Sequence, residues 1–230
     1  MKVRNFKSQK QIFFIIEHLE PVLSKWLWYE YKHAAEIVGY DKIIFTNVRD
    51  ANEARKLAEI GSVLRFSIKT LPLDQNAMII LDPAADKELC PEDFDKAAFI
   101  VIGGILGDHP PRGRTQQLLS KFFPRAAKRN LGKHQFSIDG ATYMALMVSK
   151  GMRLLDIPVK VGVEIQLDDI TSIELPFAYP LVNGRPFISD ELIEYLKSKE
   201  MLDEEYLLRT GKVRTATGEE KYLEDLMDPV

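Results

Sequence analysis

The stretch that most constrains the fold is an apolar run, residues 97–102, that ends in a glycine-rich loop. The run has the length and β-branched content of a buried strand. The loop and the residues after it carry three glycines, an acid, an imidazole and two guanidiniums: Gly103, Gly104, Gly107, Asp108, His109, Arg112 and Arg114. In open α/β sheets, ligands bind beyond the carboxyl ends of strands. The stretch therefore predicts an α/β protein with a ligand site at the end of this strand.

Strand and helix patterns alternate along the rest of the chain. Apolar or alternating runs predict further strands at 11–17, 42–46, 62–67, 78–81, 159–167, 172–177 and 179–182. Helical patterns with caps predict helices at 25–38, 51–60, 115–123, 140–150 and 191–199. This alternation is typical of βαβ units and predicts a mainly parallel sheet flanked by helices. We expect one domain over residues 1–200 and an acidic C-terminal extension over 201–230.

Local signals place several turns and caps. Ser24, Thr115 and Asp190 are predicted N-caps, and either Ser137 or Asp139 caps the helix between them. Asn183-Gly184 predicts a tight hairpin, because both residues tolerate a positive φ angle. Residues 125–132 are predicted to be irregular. The hairpin and the helix after it, residues 179–199, are predicted to form a small β-hairpin and helix addition to the α/β unit, before the acidic extension.

Composition limits the class of protein and its compartment. The 230 residues carry a net charge of −3 and one cysteine, Cys90, which cannot form an internal disulfide. No window has the roughly 18 apolar residues of a membrane span. We expect a cytoplasmic protein with no membrane contact. Residues 109–138 hold seven Lys or Arg and no acid, which is either an ordinary solvated face or a basic face beside the site.

Several chemistries are disfavoured by the motifs. The first strand ends in Glu17-His18-Leu19-Glu20 and not in a dinucleotide-binding glycine motif, and no G-K-[ST] or G-x-S-x-G occurs. Acids and histidines near strand ends lack the spacing of metal ligands, so we expect no metal. Two backbone loops, one with Gly103, Gly104 and Gly107 and one over residues 131–138, are suited instead to enclosing a planar ring such as adenine.

Four separated motifs carry a resemblance to a known family. They are the Glu17–Glu20 cluster, GGILGDHPPRGRT (103–115), NLGKHQFSIDGA (130–141) and IELPFAYPLVNGRPFI (173–188). Together they resemble the archaeal and eukaryotic branch of the SPOUT methyltransferases, whose characterised eukaryotic representative methylates an arginine of a small-subunit ribosomal protein. The resemblance implies S-adenosylmethionine as cofactor and a C-terminal trefoil knot, which periodicity alone would not suggest.

The resemblance also implies site residues and partners. The cofactor residues it implies are Leu81, Asp82, Pro83, Gly103, Gly104, Leu106, Gly107, Asp108, His109, Leu131, Gly132, Gln135, Phe136, Ser137, Ile138, Asp139 and Ala141. The substrate is an arginine of a ribosomal protein or, alternatively, ribosomal or transfer RNA. The chain acts as a monomer or as a homodimer through the knot.

Arginine methylation requires groups that orient a protonated guanidinium and accept its proton. The candidates for this role are Asp108, His109, Glu17 and Glu20, while Arg112, Arg114, Arg125 and Arg129 are predicted to contact the substrate. RNA methylation would use the same arginines on phosphates. A further alternative is a non-catalytic ribosome-associated binding protein that keeps the fold.

Overall fold

The main sheet has six strands, and every neighbouring pair is parallel. The computed structural model describes residues 11–107, 112–167 and 171–226. The strands are β1 (Phe13–His18), β2 (Ile43–Thr46), β3 (Ser62–Val63), β4 (Met78–Leu81), β5 (Phe99–Gly104) and β6 (Ala127–Arg129). Their order across the sheet is β3-β2-β1-β5-β4-β6. The predicted mainly parallel sheet with flanking helices is therefore confirmed, and the trefoil knot stays a prediction.

Strand β6 contradicts the prediction that residues 125–132 are irregular. Its residues Ala127, Lys128 and Arg129 pair in register with Ile79, Ile80 and Leu81 of β4. They contain no apolar run, because this strand lies at the edge of the sheet and is only partly buried. A three-residue edge strand of this kind has no periodicity that a sequence pattern can show.

Seven α-helices lie in the described part of the chain. They are α1 (Lys25–Val38), α2 (Ala51–Leu57), α3 (Arg114–Leu118), α4 (Ile138–Ser149), α5 (Asp190–Tyr195), α6 (Met201–Thr210) and α7 (Leu223–Leu226). A hydroxyl accepts a backbone hydrogen bond at the start of α1 (Ser24) and of α4 (Ser137), as predicted. Two predicted caps are wrong. Ser189, not Asp190, caps α5, and α3 begins after Gly113 (φ 67°) rather than at Thr115.

The sheet is covered on both faces, and alternate residues of its strands face opposite cores. Phe14 and Ile16 of β1 pack with α1 and α4 in the larger core. Ile15 points to the other face, where it packs with Ile68 and with Leu119 at the end of α3. Because side chains alternate along a strand, these near-continuous apolar strands contribute to both cores.

A three-stranded antiparallel ribbon follows α4. It consists of β7 (Val159–Gln166), β8 (Ser172–Val182) and β9 (Arg185–Pro186). The predicted hairpin at Asn183-Gly184 is confirmed, with positive φ angles at both residues. Residues 172–182 form one strand where two were predicted. The ribbon packs against α5 around Leu175, Tyr179 and Leu192.

The acidic C-terminal extension packs against the turn between β1 and α1 and against the start of α2. Its strands β10 (Lys212–Arg214) and β11 (Glu220–Tyr222) form an antiparallel hairpin. The Ala216 amide donates to the Leu23 carbonyl over 2.8 Å, and Lys221 Nζ lies 3.1 Å from the Asp50 carboxylate. In the described ranges, no helix is long and apolar enough to cross a bilayer.

Candidate functional site

A cavity of about 430 Å³ lies at the carboxyl ends of β4 and β5. The loops after these strands form one side of it, and the segment between β6 and α4 forms the other. The predicted cofactor residues that line it are Leu81, Asp82, Pro83, Gly103, Gly107, Leu131, Gly132, Gln135, Phe136, Ser137, Ile138 and Ala141. The structure thus brings together the two loops that the sequence places about 30 residues apart.

Three predicted cofactor residues do not line the cavity. Gly104 lies against α1, where an added Cβ would be 2.0 Å from the Tyr31 hydroxyl. Leu106 donates its amide to Glu20 over 2.8 Å, and Asp139 is buried with its carboxylate 2.7 Å from His33 Nδ1. These residues support the loops from behind. Asp108 and His109, also predicted here, lie outside the described residues.

Asn130 ties the two sides of the cavity together. Its side-chain amide donates to the Ala85 carbonyl over 2.7 Å, and its side-chain oxygen accepts from the Gly132 amide over 2.9 Å. Asp82 forms a similar local turn by accepting from the Ala84 amide over 2.9 Å. Gly132 has a φ of 89°, which only glycine adopts without strain. Asn130 was not predicted as a site residue, although it begins the NLGKHQFSIDGA motif.

The first turn of α4 is held by buried carboxylates. Glu30 of α1 accepts from the Ile138 amide over 2.9 Å and from Trp26 Nε1 over 2.7 Å. Burial, together with the nearby Asp139 carboxylate, raises the pKa of Glu30 to about 8. Asp139 in turn accepts from the Ser137 hydroxyl over 2.5 Å. The α4 turn that lines the cavity is therefore fixed to α1 by hydrogen bonds on its inner side.

The glycine loop after β5 is held by an ion pair. Arg114 Nη1 lies 3.0 Å from a Glu20 carboxylate oxygen, and its other terminal nitrogen donates to the Leu106 carbonyl. The same Glu20 oxygen accepts from the Leu106 amide. Glu20 and Arg114 therefore clamp both backbone groups of Leu106, one residue before Gly107.

Strand β8 lies behind Gly107, one of the residues that line the cavity. A Cβ added at Gly107 would lie 2.5 Å from the Phe177 ring and 2.5 Å from the Gln135 side-chain nitrogen. The Ala178 amide also donates to the Gln135 carbonyl over 2.8 Å. Phe177 was not predicted as a site residue, and the only available signal was its place in the IELPFAYPLVNGRPFI motif.

The four predicted substrate arginines have different environments. Arg112 and Arg114 line the cavity, and Arg125 is exposed and does not. Arg129 lines the cavity but is bound to Asp93 through two hydrogen bonds of 2.8 and 2.6 Å. This pairing holds the pKa of Asp93 below its usual value and raises that of Arg129. Arg129 is thus part of the cavity wall.

Glu17, a predicted catalytic residue, is fully buried and does not line the cavity. Its carboxylate accepts from the hydroxyls of Thr46 and Ser67 and from the Ile68 amide, the last over 3.0 Å. These contacts link β1 to the segment after β3. In the ranges that the structure describes, no three His, Cys, Asp or Glu side chains are grouped as a metal site.

A parallel α/β sheet with a cavity between two loops at its carboxyl edge defines an α/β protein with a site for a small organic ligand. The chain belongs to the family of SFM1-like protein arginine N-methyltransferases, which matches residues 13–202. This result confirms the resemblance to this branch and the enzyme class that it implies.

Relatives of known structure support the assignment. The protein arginine N-methyltransferase SFM1 of Saccharomyces cerevisiae is 29% identical over 215 residues, which cover 83% of this chain and 98% of the yeast protein. The structure of yeast SFM1 with S-adenosylmethionine is similar, with a TM-score of 0.75 at 28% identity over 83% of this chain and 92% of that chain. Its complex with S-adenosylhomocysteine has a TM-score of 0.74 at 28% identity, over 80% and 94% of the two chains.

Proposed function

We propose that this protein transfers a methyl group from S-adenosylmethionine to an arginine of a ribosomal protein. The observation that carries the proposal is the cavity formed by the glycine loop after β5 and the segment before α4. The yeast relatives solved with S-adenosylmethionine and with its demethylated product support the choice of cofactor. The ribosomal substrate rests on the family resemblance of the four motifs.

The cavity fits this cofactor in size and chemistry. Its volume of about 430 Å³ lies within the roughly 300–1,000 Å³ of small-ligand sites. Leu131 and Ile138 offer apolar surface for an adenine ring, and the loop backbone offers hydrogen-bond groups for its edge. Asp82 would accept from ribose hydroxyls with the oxygen not bound by Ala84. Lys133 at the rim would pair with the carboxylate of the amino-acid moiety.

The chain must orient the acceptor and remove its proton. When bound, the cofactor would supply a methyl group on its sulfonium sulfur. A guanidine nitrogen would bond to that methyl carbon in line while the carbon–sulfur bond breaks, and S-adenosylhomocysteine would be the leaving group. A free guanidinium keeps its proton, with a pKa above about 12, so a nearby carboxylate or imidazole has to hold it and accept the proton. We assign this role to Asp108 and His109, which directly follow the cavity-lining Gly107 in the sequence.

The other two predicted catalytic residues receive positioning roles. Glu20 is bound by Leu106 and Arg114, so we assign it to holding the glycine loop. Glu17 is bound by three donors away from the cavity, so we assign it to joining strands. Arg112, exposed at the cavity rim, remains our candidate for contact with the substrate protein. We also propose a cytoplasmic location.

Transfer of a labelled methyl group tests the proposal directly. The purified protein, small ribosomal subunits and S-adenosylmethionine with a radioactive methyl group are incubated together. We expect label in one ribosomal protein, resistant to ribonuclease and recovered as methylarginine after acid hydrolysis. D108N should abolish the transfer while cofactor binding persists, and E36Q, on the outer face of α1, should be fully active.

Two outcomes would contradict the proposal. Label found only in RNA, and lost on ribonuclease treatment, would identify an RNA methyltransferase. A protein that gives no heat of binding with S-adenosylhomocysteine would be a non-catalytic binding module.

A further inference from the structure

Two lysines meet one aromatic ring on the face of the sheet opposite α1 and α4, and a second exposed ring, Phe66, lies three residues before one of these lysines. We define the aromatic-basic surface as Phe66, Lys69, Leu118, Lys121 and Phe122. Lys69 Nζ lies 4.3 Å from the centroid of the Phe122 ring, and Lys121 Nζ lies 5.0 Å from it. The segment after β3 and the segment after α3 therefore meet at this ring.

Both rings are open to solvent. Phe66 is 67% exposed and Phe122 is 46% exposed. A single exposed apolar side chain is ordinary on a protein surface. Here, however, Leu118 is also exposed, and the ring of Phe122 is contacted by ammonium groups from two separate segments. The patch therefore combines flat apolar surface with positive charge.

Hydrogen bonds to the sheet fix the backbone of residues 66–68, the segment that carries Phe66. The Asn47 amide donates to the Phe66 carbonyl over 2.9 Å. The buried Glu17 carboxylate binds the Ser67 hydroxyl and the Ile68 amide, and Ile68 packs with Leu119 in the core on this face. The backbone position of Phe66 is therefore fixed by hydrogen bonds to the sheet.

The charge around the surface is positive and open to a partner. Arg65 precedes Phe66 and Arg125 follows Phe122 by three residues, both are exposed, and residues 112–138 contain no acid. Among the residues that the structure describes, neither Lys69 nor Lys121 has an ion-pair partner. Asp74 precedes Gln75, whose side chain accepts from the Arg125 amide over 3.2 Å; Asp74 is exposed, and its carboxylate accepts from the Asn76 amide over 3.0 Å.

We propose that the aromatic-basic surface binds single-stranded RNA. Phosphates would contact Lys69 and Lys121, and a base would stack on the open ring of Phe66. An acidic protein segment would use the same lysines, but single-stranded RNA brings a phosphate and a flat base together in every nucleotide, which matches lysines next to an open ring. Arg114 and Thr115 of the same segment line the cavity, so RNA bound here would run past its mouth.

Fluorescence anisotropy with a short labelled oligouridylate tests the proposal. We expect binding that weakens steeply between about 50 and 200 mM salt. K69Q/K121Q should weaken binding about tenfold and lower the slope of log affinity against log salt by about 1.4, since each lost phosphate contact removes about 0.7. F66A should weaken binding about fivefold with the slope unchanged, because stacking releases no counterions.

The matched control is K42Q/K150Q, which removes two exposed lysines, one directly before β2 and one at the end of α4. This control should bind the oligouridylate as the wild type does. Equal losses in both double variants, no binding by the wild type, or a polyglutamate peptide that competes while F66A binds normally would each overturn the proposal. Methylation of a free substrate protein should be unchanged in K69Q/K121Q and in F66A, so failure here is distinguishable from failure of the proposed function.

Discussion

Glu30 accepts a hydrogen bond from the backbone amide of Ile138 over 2.9 Å, and so joins the middle of α1 to the first turn of α4. That turn lines the cavity, and the carboxylate behind it is fully buried. Because burial and the Asp139 charge raise its pKa to about 8, Glu30 holds a proton in the folded protein at neutral pH.

The first prediction concerns the pH dependence of stability. The folded pKa of Glu30, about 8, lies above its ordinary value of 4.5, so folding takes up a proton between these two values. The free energy of unfolding should therefore fall as pH rises from about 6.5 to 8, by up to about 1.4 kcal/mol per pH unit from this group. Below pH 6.5 the contribution of His18, whose pKa is lowered, has the opposite sign and offsets it. Urea denaturation at several pH values measures the slope, and E30Q should flatten it.

The control for this experiment is E36Q on the same helix, where the carboxylate is exposed. Its pH profile should follow that of the wild type. A wild-type slope that E30Q leaves unchanged would show that Glu30 ionises normally in the folded state.

The second prediction separates the two arginines at the cavity. Arg114 holds Glu20 and Leu106, so R114K should raise the KM for S-adenosylmethionine about tenfold by loosening the loop. R112Q, which removes an exposed charge at the rim, should instead raise the KM for the substrate protein. Steady-state kinetics with each substrate varied in turn measure both effects. The same KM pattern in the two variants would contradict these roles.

The third prediction concerns the contact between the glycine loop and β8. A methyl group at Gly107 would lie 2.5 Å from the Phe177 ring, so G107A must displace the loop or the ring. We expect G107A to weaken cofactor binding at least tenfold in calorimetry, with the unfolding midpoint little changed. The double variant G107A/F177L should recover part of the affinity. A double variant no better than G107A would place the cause elsewhere in the loop.

The fourth prediction concerns acid stability. Burial, and to a smaller extent the charge of Lys221, lowers the pKa of His18 from 6.5 to about 4. The unfolded chain therefore binds a proton that the folded chain does not, so the contribution of His18 to stability should be lost as pH falls from 6.5 towards 4, against the opposite contribution of Glu30. H18Q should remove this loss in urea denaturation. H134Q, at an exposed histidine of the cavity, should leave it intact.

Sequence patterns predicted the features that depend on neighbouring residues. Ser24 and Ser137 were found as caps because a hydroxyl bonds an amide three residues away. The glycines of the first loop pointed to the cavity because they lie at and directly after the carboxyl end of the strand pattern that became β5. Strand β6 was missed because its three residues depend on the register with β4.

Contacts between distant residues were beyond the reach of these patterns. Glu17 looked like a catalytic acid at a strand end, but its partners Ser67 and Ile68 are about 50 residues away. Arg129 looked like a substrate contact until Asp93 was found beside it. Whether a charged group is free or bound depends on tertiary packing, which a single sequence does not show.

The hairpin of β10 and β11 has a consequence for synthesis of the chain. Ala216 bonds Leu23, and Thr215 pairs with Ser24, the cap of α1, although nearly the whole chain lies between them. On the ribosome, the turn between β1 and α1 emerges long before these partners are made. The nascent chain must therefore carry this turn unpaired until translation of the hairpin is complete, and a truncated product would keep it exposed to proteases and chaperones.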